Sequence, residues 1–155
     1  MDLQLKDKTA LVTGASVGIG RGIAKALAAE GVKLAISARR ADKLQEVADE
    51  IVAAGGYRPV IIESDLYPED AAAKLTSAAI QGLGHVDILV NNAGGSRSFK
   101  DLHVSEEAWQ EAMTLNFHMG EAAKTRRITS STGMASIRIS SKPGRSIARR
   151  LTEVA

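Results

Sequence analysis

Three glycines, Gly14, Gly18 and Gly20, separate an apolar run at residues 9–12 from an alanine-rich helical pattern at residues 19–30. Glycine lets the backbone turn tightly and come close to a ligand, and a helix N-terminus offers unpaired N–H groups and a positive dipole end. A strand, a glycine turn and a helix start in this order predict a cradle for a pyrophosphate. The glycine spacing differs from the common dinucleotide fingerprint, so an ordinary glycine-rich turn stays open as the alternative.

The end of the second apolar run bears on which nucleotide would bind. An acidic residue there would accept a hydrogen bond from a ribose 2′-hydroxyl and repel a 2′-phosphate. Here Ser37 and Ala38 are followed by Arg39 and Arg40, and the first acid is Asp42. The planar guanidinium of Arg39 could pair with a 2′-phosphate, which favours NADP(H) and leaves NAD(H) possible. A solvated charge pair at a helix entry is the other interpretation.

The elements that must position these residues alternate along the chain. Apolar runs separated by helical periodicities predict a βαβαβαβα order, hence an α/β fold with a parallel sheet covered on both faces. Ile19, Ile23 and Leu27 recur at helical spacing in the first helix. The predicted strands are residues 9–12, 32–38, 60–62 and 86–90, and the helices follow them.

Capping residues locate the starts of the later helices. Asp42, with Gln45 three residues on, matches a capping box for the second helix. Pro68 suits the first turn of the third helix. Ser105 is the expected N-cap of the fourth, whose face carries Trp109.

Composition excludes several classes of protein. A chain of 155 residues without cysteine has no disulfide, thiolate metal site or cysteine nucleophile, and no metal site is predicted. No apolar run is long enough to span a bilayer, and residues 1–4 do not begin a signal peptide. We therefore expect a cytoplasmic protein that does not enter a membrane.

Charge divides the chain into two parts. Residues 1–120 carry 12 Lys and Arg against 16 Asp and Glu, whereas residues 121–155 carry 8 against 2. The second part, rich in serine and arginine, loses the periodic pattern apart from short alternations such as Ile137-Arg138-Ile139. Three interpretations of this second part are open: an out-of-frame or rearranged ending, a true alternative ending, or a basic arm. Nucleic acid is not the expected partner, because no aromatic residue follows Phe117 to stack on bases.

Four motifs follow one another through Phe117: the glycine turn, the Asp65-Leu66 pair, the segment 87–94 (DILVNNAG) and the segment 109–117 ending in Leu-Asn-Phe. In these motifs and their spacing, the chain resembles the short-chain dehydrogenase/reductase family. The resemblance implies a Rossmann-like, doubly wound parallel sheet of about four strands in the order 3-2-1-4. It places a dinucleotide-binding domain at residues 1–120, followed by an irregular or incomplete basic tail at 121–155.

The resemblance also implies roles for particular residues. The turn would wrap the pyrophosphate and adjoining ribose, Asp65 would accept from the adenine amino group, and Leu66 would pack near the ring. Residues 92–94 would end the fourth strand at the edge where open parallel sheets bind ligands. With Arg39, the implied cofactor-binding residues are Gly14, Ser16, Val17, Gly18, Ile19, Gly20, Asp65, Leu66, Asn92, Ala93 and Gly94.

The family's reaction moves a hydride between the nicotinamide and a carbonyl or alcohol, using a tyrosine and a lysine four residues later. Asn116 matches the family's asparagine that supports a proton-relay water. The two tyrosines, Tyr57 and Tyr67, both precede the fourth strand and lack that lysine. Ser131 resembles the family's catalytic serine but lies 15 residues after Asn116, so a chance serine/threonine cluster is the favoured interpretation.

The sequence therefore predicts an NADP(H)-binding oxidoreductase for small carbonyl or alcohol substrates, catalytically impaired as written. A non-catalytic nucleotide-binding or interaction module with a basic arm is the alternative. An incomplete sheet would leave the fourth strand, residues 88–90, as an apolar edge, and for that reason we expect a homo-oligomer or poor solubility.

Overall fold

The computed structural model describes residues 3–94, 104–114, 116 and 135–138. Strands and helices alternate along the described chain, as predicted. The elements are β1 (Thr9–Thr13), α1 (Gly18–Ala29), β2 (Lys33–Ala38), α2 (Ala41–Ala53), β3 (Val60–Glu63), α3 (Ala71–Leu83), β4 (Ile88–Asn91), α4 (Glu106–Met113) and β5 (Ala135–Arg138).

The sheet is parallel, with the strand order β3-β2-β1-β4-β5. The predicted order 3-2-1-4 and the Rossmann-like class are confirmed, and the sheet has a fifth strand beyond the four expected. Strands β2 and β3 lie on one side of β1, and β4 and β5 lie on the other side. The carboxyl ends of β1 and β4 therefore form a topological switch point. Open α/β sheets bind their ligands at such a point.

The prediction that β4 lies at an apolar edge is wrong. β4 pairs with β1 through Val90↔Val12 and with β5 through Val90↔Ile137. The residues that complete the sheet belong to the segment where the sequence pattern is weak, and only the isoleucine alternation around Ile137 indicated a strand there. The edge-strand argument for a homo-oligomer therefore falls away.

Core residues lie on both faces of the sheet, as a doubly wound fold requires. Val12, Ile36 and Val90 belong to the cluster shared with α1 and α2. Their neighbours Leu11 and Leu89 belong to the cluster shared with α3. Because side chains alternate along a strand, each buried strand contributes to both clusters. This apolar packing fixes the positions of the strands relative to one another, and so the positions of their carboxyl ends.

Two predicted helix starts are corrected. Arg40, with extended backbone angles, occupies the N-cap of α2, and Asp42 lies inside the first turn. Gln45 donates to Asp49 Oδ1 at 2.9 Å instead of completing a capping box. Pro68 precedes α3, which begins at Ala71. The Pro68 carbonyl oxygen accepts from the Ala71 amide in a separate turn before the helix. The predicted cap of α4 is confirmed: Ser105 Oγ accepts from the Ala108 amide at 3.3 Å.

Candidate functional site

The glycine turn between β1 and α1 is closely packed against the segment that follows β4. Gly14 has a φ of +66°, and a Cβ there would lie 2.9 Å from the Ala93 Cα atom. A Cβ on Gly20 would collide with the Gly14 carbonyl oxygen and with Asn92 Nδ2. Gly18 is open to solvent but has a φ of +58°, a conformation that glycine adopts without strain. Each of the three glycines is thus required by its own geometry.

The Asn92 carboxamide joins the two segments. Its Nδ2 atom donates to the carbonyl oxygens of Thr13 and Gly14, each at 3.1 Å. The amide fills the space that the missing side chain of Gly20 leaves. Asn92 therefore holds the glycine turn in place, and its side chain has a structural role in the site.

The Thr13 hydroxyl makes a second connection between the same strands. Its oxygen accepts from the amides of Asn92 and Ala93, at 3.1 and 3.0 Å. It donates to the Val90 carbonyl oxygen at 3.2 Å. The sequence motifs do not predict this role of Thr13; a threonine that ends a buried strand just before a glycine turn is the signal for it.

The N-terminus of α1 points its first amides into this turn without a side-chain acceptor. Val17 occupies the N-cap position and offers no capping oxygen. Ser16 is buried, while the side chains of Val17 and Ile19 are exposed beside the turn. An uncapped helix start beside a glycine turn is favourable for an anionic group.

Three of the predicted cofactor-binding residues follow the carboxyl ends of β2 and β3. Asp65 is exposed, and its Oδ1 accepts from the Tyr67 amide at 3.2 Å. Leu66 is partly buried and packs against the apolar cluster on the α3 face. Arg39 is exposed and makes no hydrogen bond or ion pair with any residue that the structure describes.

Two buried polar atoms lack partners within the described ranges, and both belong to this edge. They are Ser37 Oγ, next to the end of β2, and Asn91 Nδ2, at the end of β4. An unpaired buried polar group costs stability, and such groups are retained mainly where function or an ordered water explains them. Their position agrees with a polar, ligand-binding edge.

Asn116 lies beside the segment that follows β4. A Cβ on Gly94 would be 2.8 Å from Asn116 Oδ1, so the glycine admits the amide. Asn116 Nδ2 donates to the Ala112 carbonyl oxygen at 2.8 Å, where the helix widens into a π-type turn after Met113. Such turns occur often at functional sites. Ser131, the other predicted catalytic residue, lies outside the described residues.

Asp87 belongs to the same motif but to the opposite end of the sheet. Its Oδ2 accepts from the Thr9 amide at 2.9 Å and from the Thr9 hydroxyl at 3.1 Å, with His85 Nε2 at 3.3 Å. Burial would raise the pKa of the Asp87 carboxyl, but the hydrogen bonds from Thr9 outweigh it and the pKa is lowered. Asp87 therefore fastens β1 to β4 and does not belong to the ligand site.

Among the described residues, no three His, Cys, Asp or Glu side chains are grouped so as to hold a metal ion. None of the helices described there is long and apolar enough to cross a membrane.

The family model for short chain dehydrogenases matches residues 8–142. The match continues beyond Phe117, where the motifs recognised in the sequence end, and includes the position of β5.

Two fungal proteins illustrate the sequence similarity. A short chain dehydrogenase of Pseudocercospora fijiensis is 48% identical over 94 residues, which are 61% of this chain and 30% of the relative. The hydroxynaphthalene reductase-like protein Arp2 of Metarhizium anisopliae is 42% identical over 113 residues, 72% of this chain and 42% of the relative. The chain thus spans less than half the length of either relative.

Solved structures share the fold over the same part. A 7α-hydroxysteroid dehydrogenase in complex with NADH and 7-oxo glycochenodeoxycholic acid is 36% identical, with a TM-score of 0.74, covering 79% of this chain and 48% of that one. The L-sorbose reductase of Gluconobacter frateurii, in complex with NADPH and L-sorbose, is 30% identical, with a TM-score of 0.73, covering 79% and 47%. The family match, the sheet order and the glycine turn agree, and the chain belongs to the short-chain dehydrogenase family.

Proposed function

We propose that the chain is an NADP(H)-binding oxidoreductase of the short-chain dehydrogenase type, with residues 1–120 as the nucleotide-binding domain and residues 121–155 as a basic segment after it. The packing of Gly14 and Gly20 against Asn92 carries the proposal. The glycine turn has no side chains at positions 14, 18 and 20, so that backbone amides could meet a pyrophosphate there. Asn92 and Ala93, two of the residues predicted to bind the cofactor, contact the glycine turn.

The residues present fit a dinucleotide. The uncapped start of α1 favours the negative charge of a pyrophosphate. The exposed Asp65 carboxylate could accept from an adenine amino group, while Leu66, held by the core, offers an apolar surface beside the ring. Exposed Val17 and Ile19 would cover the apolar parts of the ligand. When bound, the nicotinamide would supply or accept a hydride.

The preference for NADP(H) rests on Arg39. The guanidinium is exposed, is not engaged by any described residue, and follows the strand whose end would meet the adenosine ribose. No acidic residue precedes Asp42 at this strand end, and Asp42 lies inside α2. The related solved structures contain NADH in one case and NADPH in the other, so membership of the family leaves the preference to local residues.

Turnover of a carbonyl substrate by these 155 residues is proposed to be negligible. Tyr57 and Tyr67 are followed at the fourth position by Ile61 and Ala71, not by a lysine. Tyr57 instead lies under the Lys33 ammonium, which is 5.5 Å from the ring centre. Neither tyrosine therefore belongs to a pair with a lysine at the spacing that the family's reaction uses.

Isothermal titration calorimetry with NADPH and NADH tests the cofactor preference. Arg39→Ala should lower NADPH affinity about 10- to 100-fold, the range of one charge-assisted hydrogen bond, and leave NADH binding unchanged. Arg58→Ala is the matched control, because Arg58 is bound to Asp49 before β3, away from the glycine turn. Equal losses in both variants, or an unmodified chain that prefers NADH, would refute the preference.

A further inference from the structure

Gly94 lies at the boundary between the proposed nucleotide site and α4. Residues 92–94 follow β4 directly, and their neighbours on one side are Thr13 and Gly14 of the nucleotide turn. On the other side is the Asn116 carboxamide, whose Oδ1 lies 2.8 Å from the place a Gly94 Cβ would occupy. At this distance the Gly94 position can hold a hydrogen atom but not a methyl group, unless the Asn116 side chain moves.

The helix on the far side of this contact is loosely covered. No residue of α4 is buried, and Trp109 is 52% exposed. Its start is fixed by the Ser105 cap, and its end is extended by the turn in which Asn116 Nδ2 donates to the Ala112 carbonyl. The amide of Asn116 therefore contacts the nucleotide segment with one end and the helix backbone with the other.

We propose that Gly94 is a positioning residue that places the Asn116 carboxamide against the segment 92–94, so that nucleotide binding is transmitted to α4. The inference rests on the proposed nucleotide site. Binding would fix the backbone of residues 92–94, and Asn116 would pass that change to the last turn of α4 through its bond to Ala112. Elements joined by a contiguous contact of this kind transmit a shift when each has two arrangements.

Trp109 reports on the helix. It is the single tryptophan of the chain, so its indole N–H gives one resonance in a proton–nitrogen correlation spectrum. It precedes Asn116 by seven residues, about two helical turns, so it is separated along the helix from the contact with Gly94. NADPH should shift this resonance in the unmodified chain. In Asn116→Ala, NADPH should still bind but the resonance should no longer move.

A double-mutant cycle separates positioning from direct contact with the ligand. Gly94→Ala should displace the Asn116 amide and weaken NADPH binding about fivefold, a value within the usual range of coupling between sites. If the loss acts through Asn116, the Gly94→Ala/Asn116→Ala protein should return to within about twofold of Asn116→Ala alone. Because a rotating amide relieves the collision, the Gly94→Ala chain should fold. Gly22→Ala, in open space on α1, is the matched control and should bind as the unmodified chain does.

Two results would overturn the inference while leaving the proposed function intact. One is a loss in Gly94→Ala that persists in the double variant, which would show that the new methyl group meets the nucleotide itself. The other is a Trp109 shift that NADPH still produces in Asn116→Ala. Failure of the unmodified chain to bind NADPH at all would instead refute the proposed function, and the coupling with it.

Discussion

Asn92 Nδ2 donates to the carbonyl oxygen of Gly14 at 3.1 Å and occupies the space where Gly20 lacks a side chain. Two segments more than seventy residues apart are thereby joined at the point where a pyrophosphate would bind. The Thr13 and Asn92 hydrogen bonds keep β1 and β4 in register up to their last residues. The shape of the proposed cradle thus depends on β4 as much as on the glycines.

Gly20→Ala should destabilise the fold by about 1–3 kcal/mol, the usual cost of forcing a methyl group into a packed site. Its Cβ would meet the Gly14 backbone, which has no room to rotate away. Gly22→Ala on the same helix meets no atom and should be neutral or stabilising, because alanine favours helix. Urea unfolding of both variants measures the difference. Equal stabilities would contradict the described packing.

Thr13→Val should cost about 1–3 kcal/mol, because the Ala93 amide would lose its acceptor and the Asn92 amide would keep only the Val90 carbonyl oxygen. Valine keeps nearly the shape of threonine, so the effect isolates the hydroxyl. Thr13→Ser, which retains it, should lose less. The comparison uses the urea midpoints of the three proteins, and a serine variant weaker than the valine variant would count against the hydroxyl's role.

Acid should weaken the fold through Asp87. Its carboxyl has a pKa below the usual value in the folded state, so its contribution is complete above the unfolded pKa of about 3.9 and is lost as pH falls through the folded pKa. Asp87→Asn should remove this contribution, so that stability between pH 3 and pH 6 falls less steeply on acidification. The measurement is the unfolding free energy against pH for both proteins. Identical slopes would show that Thr9 does not hold the charged carboxyl.

The unmodified chain should oxidise NADPH negligibly with small aldehydes or ketones, because it lacks a tyrosine–lysine pair at the family's spacing. Absorbance at the NADPH band follows the reaction directly. Robust oxidation that Asn116→Ala abolishes would show that the chain carries a catalytic group other than the expected one.

Much of the fold follows from the local pattern. The near-continuous apolar runs predict β1, β2 and β4, because strands buried on both faces need no polar alternation. In α1 the periodic residues Ile23 and Leu27 are partly buried against the core, whereas Ile19 is exposed. The buried residues of this helix are Gly20, Ala24 and Ala28, whose small size lets the helix approach the sheet. The sequence of β5 has only a weak strand pattern. Its position is set by pairing with β4, a long-range contact that the local sequence does not predict.

The site divides in the same way. The positions of Gly14, Gly18 and Asn92 are predictable from residue type and spacing. The bonds of Asn92 to Thr13 and Gly14 are not, because they depend on the register between β1 and β4. The ligand roles of Arg39 and Asp65, the catalytic role of Asn116, the homo-oligomer and the cytoplasmic location stay predictions.

The central claim is that the segments around Gly14, Gly20 and Asn92 form a nucleotide cradle. A calorimetric titration of the purified chain with NADPH, repeated for Gly20→Ala and Gly22→Ala, tests it most directly. We predict saturable binding with one nucleotide per chain, retained in Gly22→Ala and weakened at least about tenfold in Gly20→Ala, a loss of about 1.4 kcal/mol or more. Absence of binding by the unmodified chain, or equal affinity in Gly20→Ala, would contradict it.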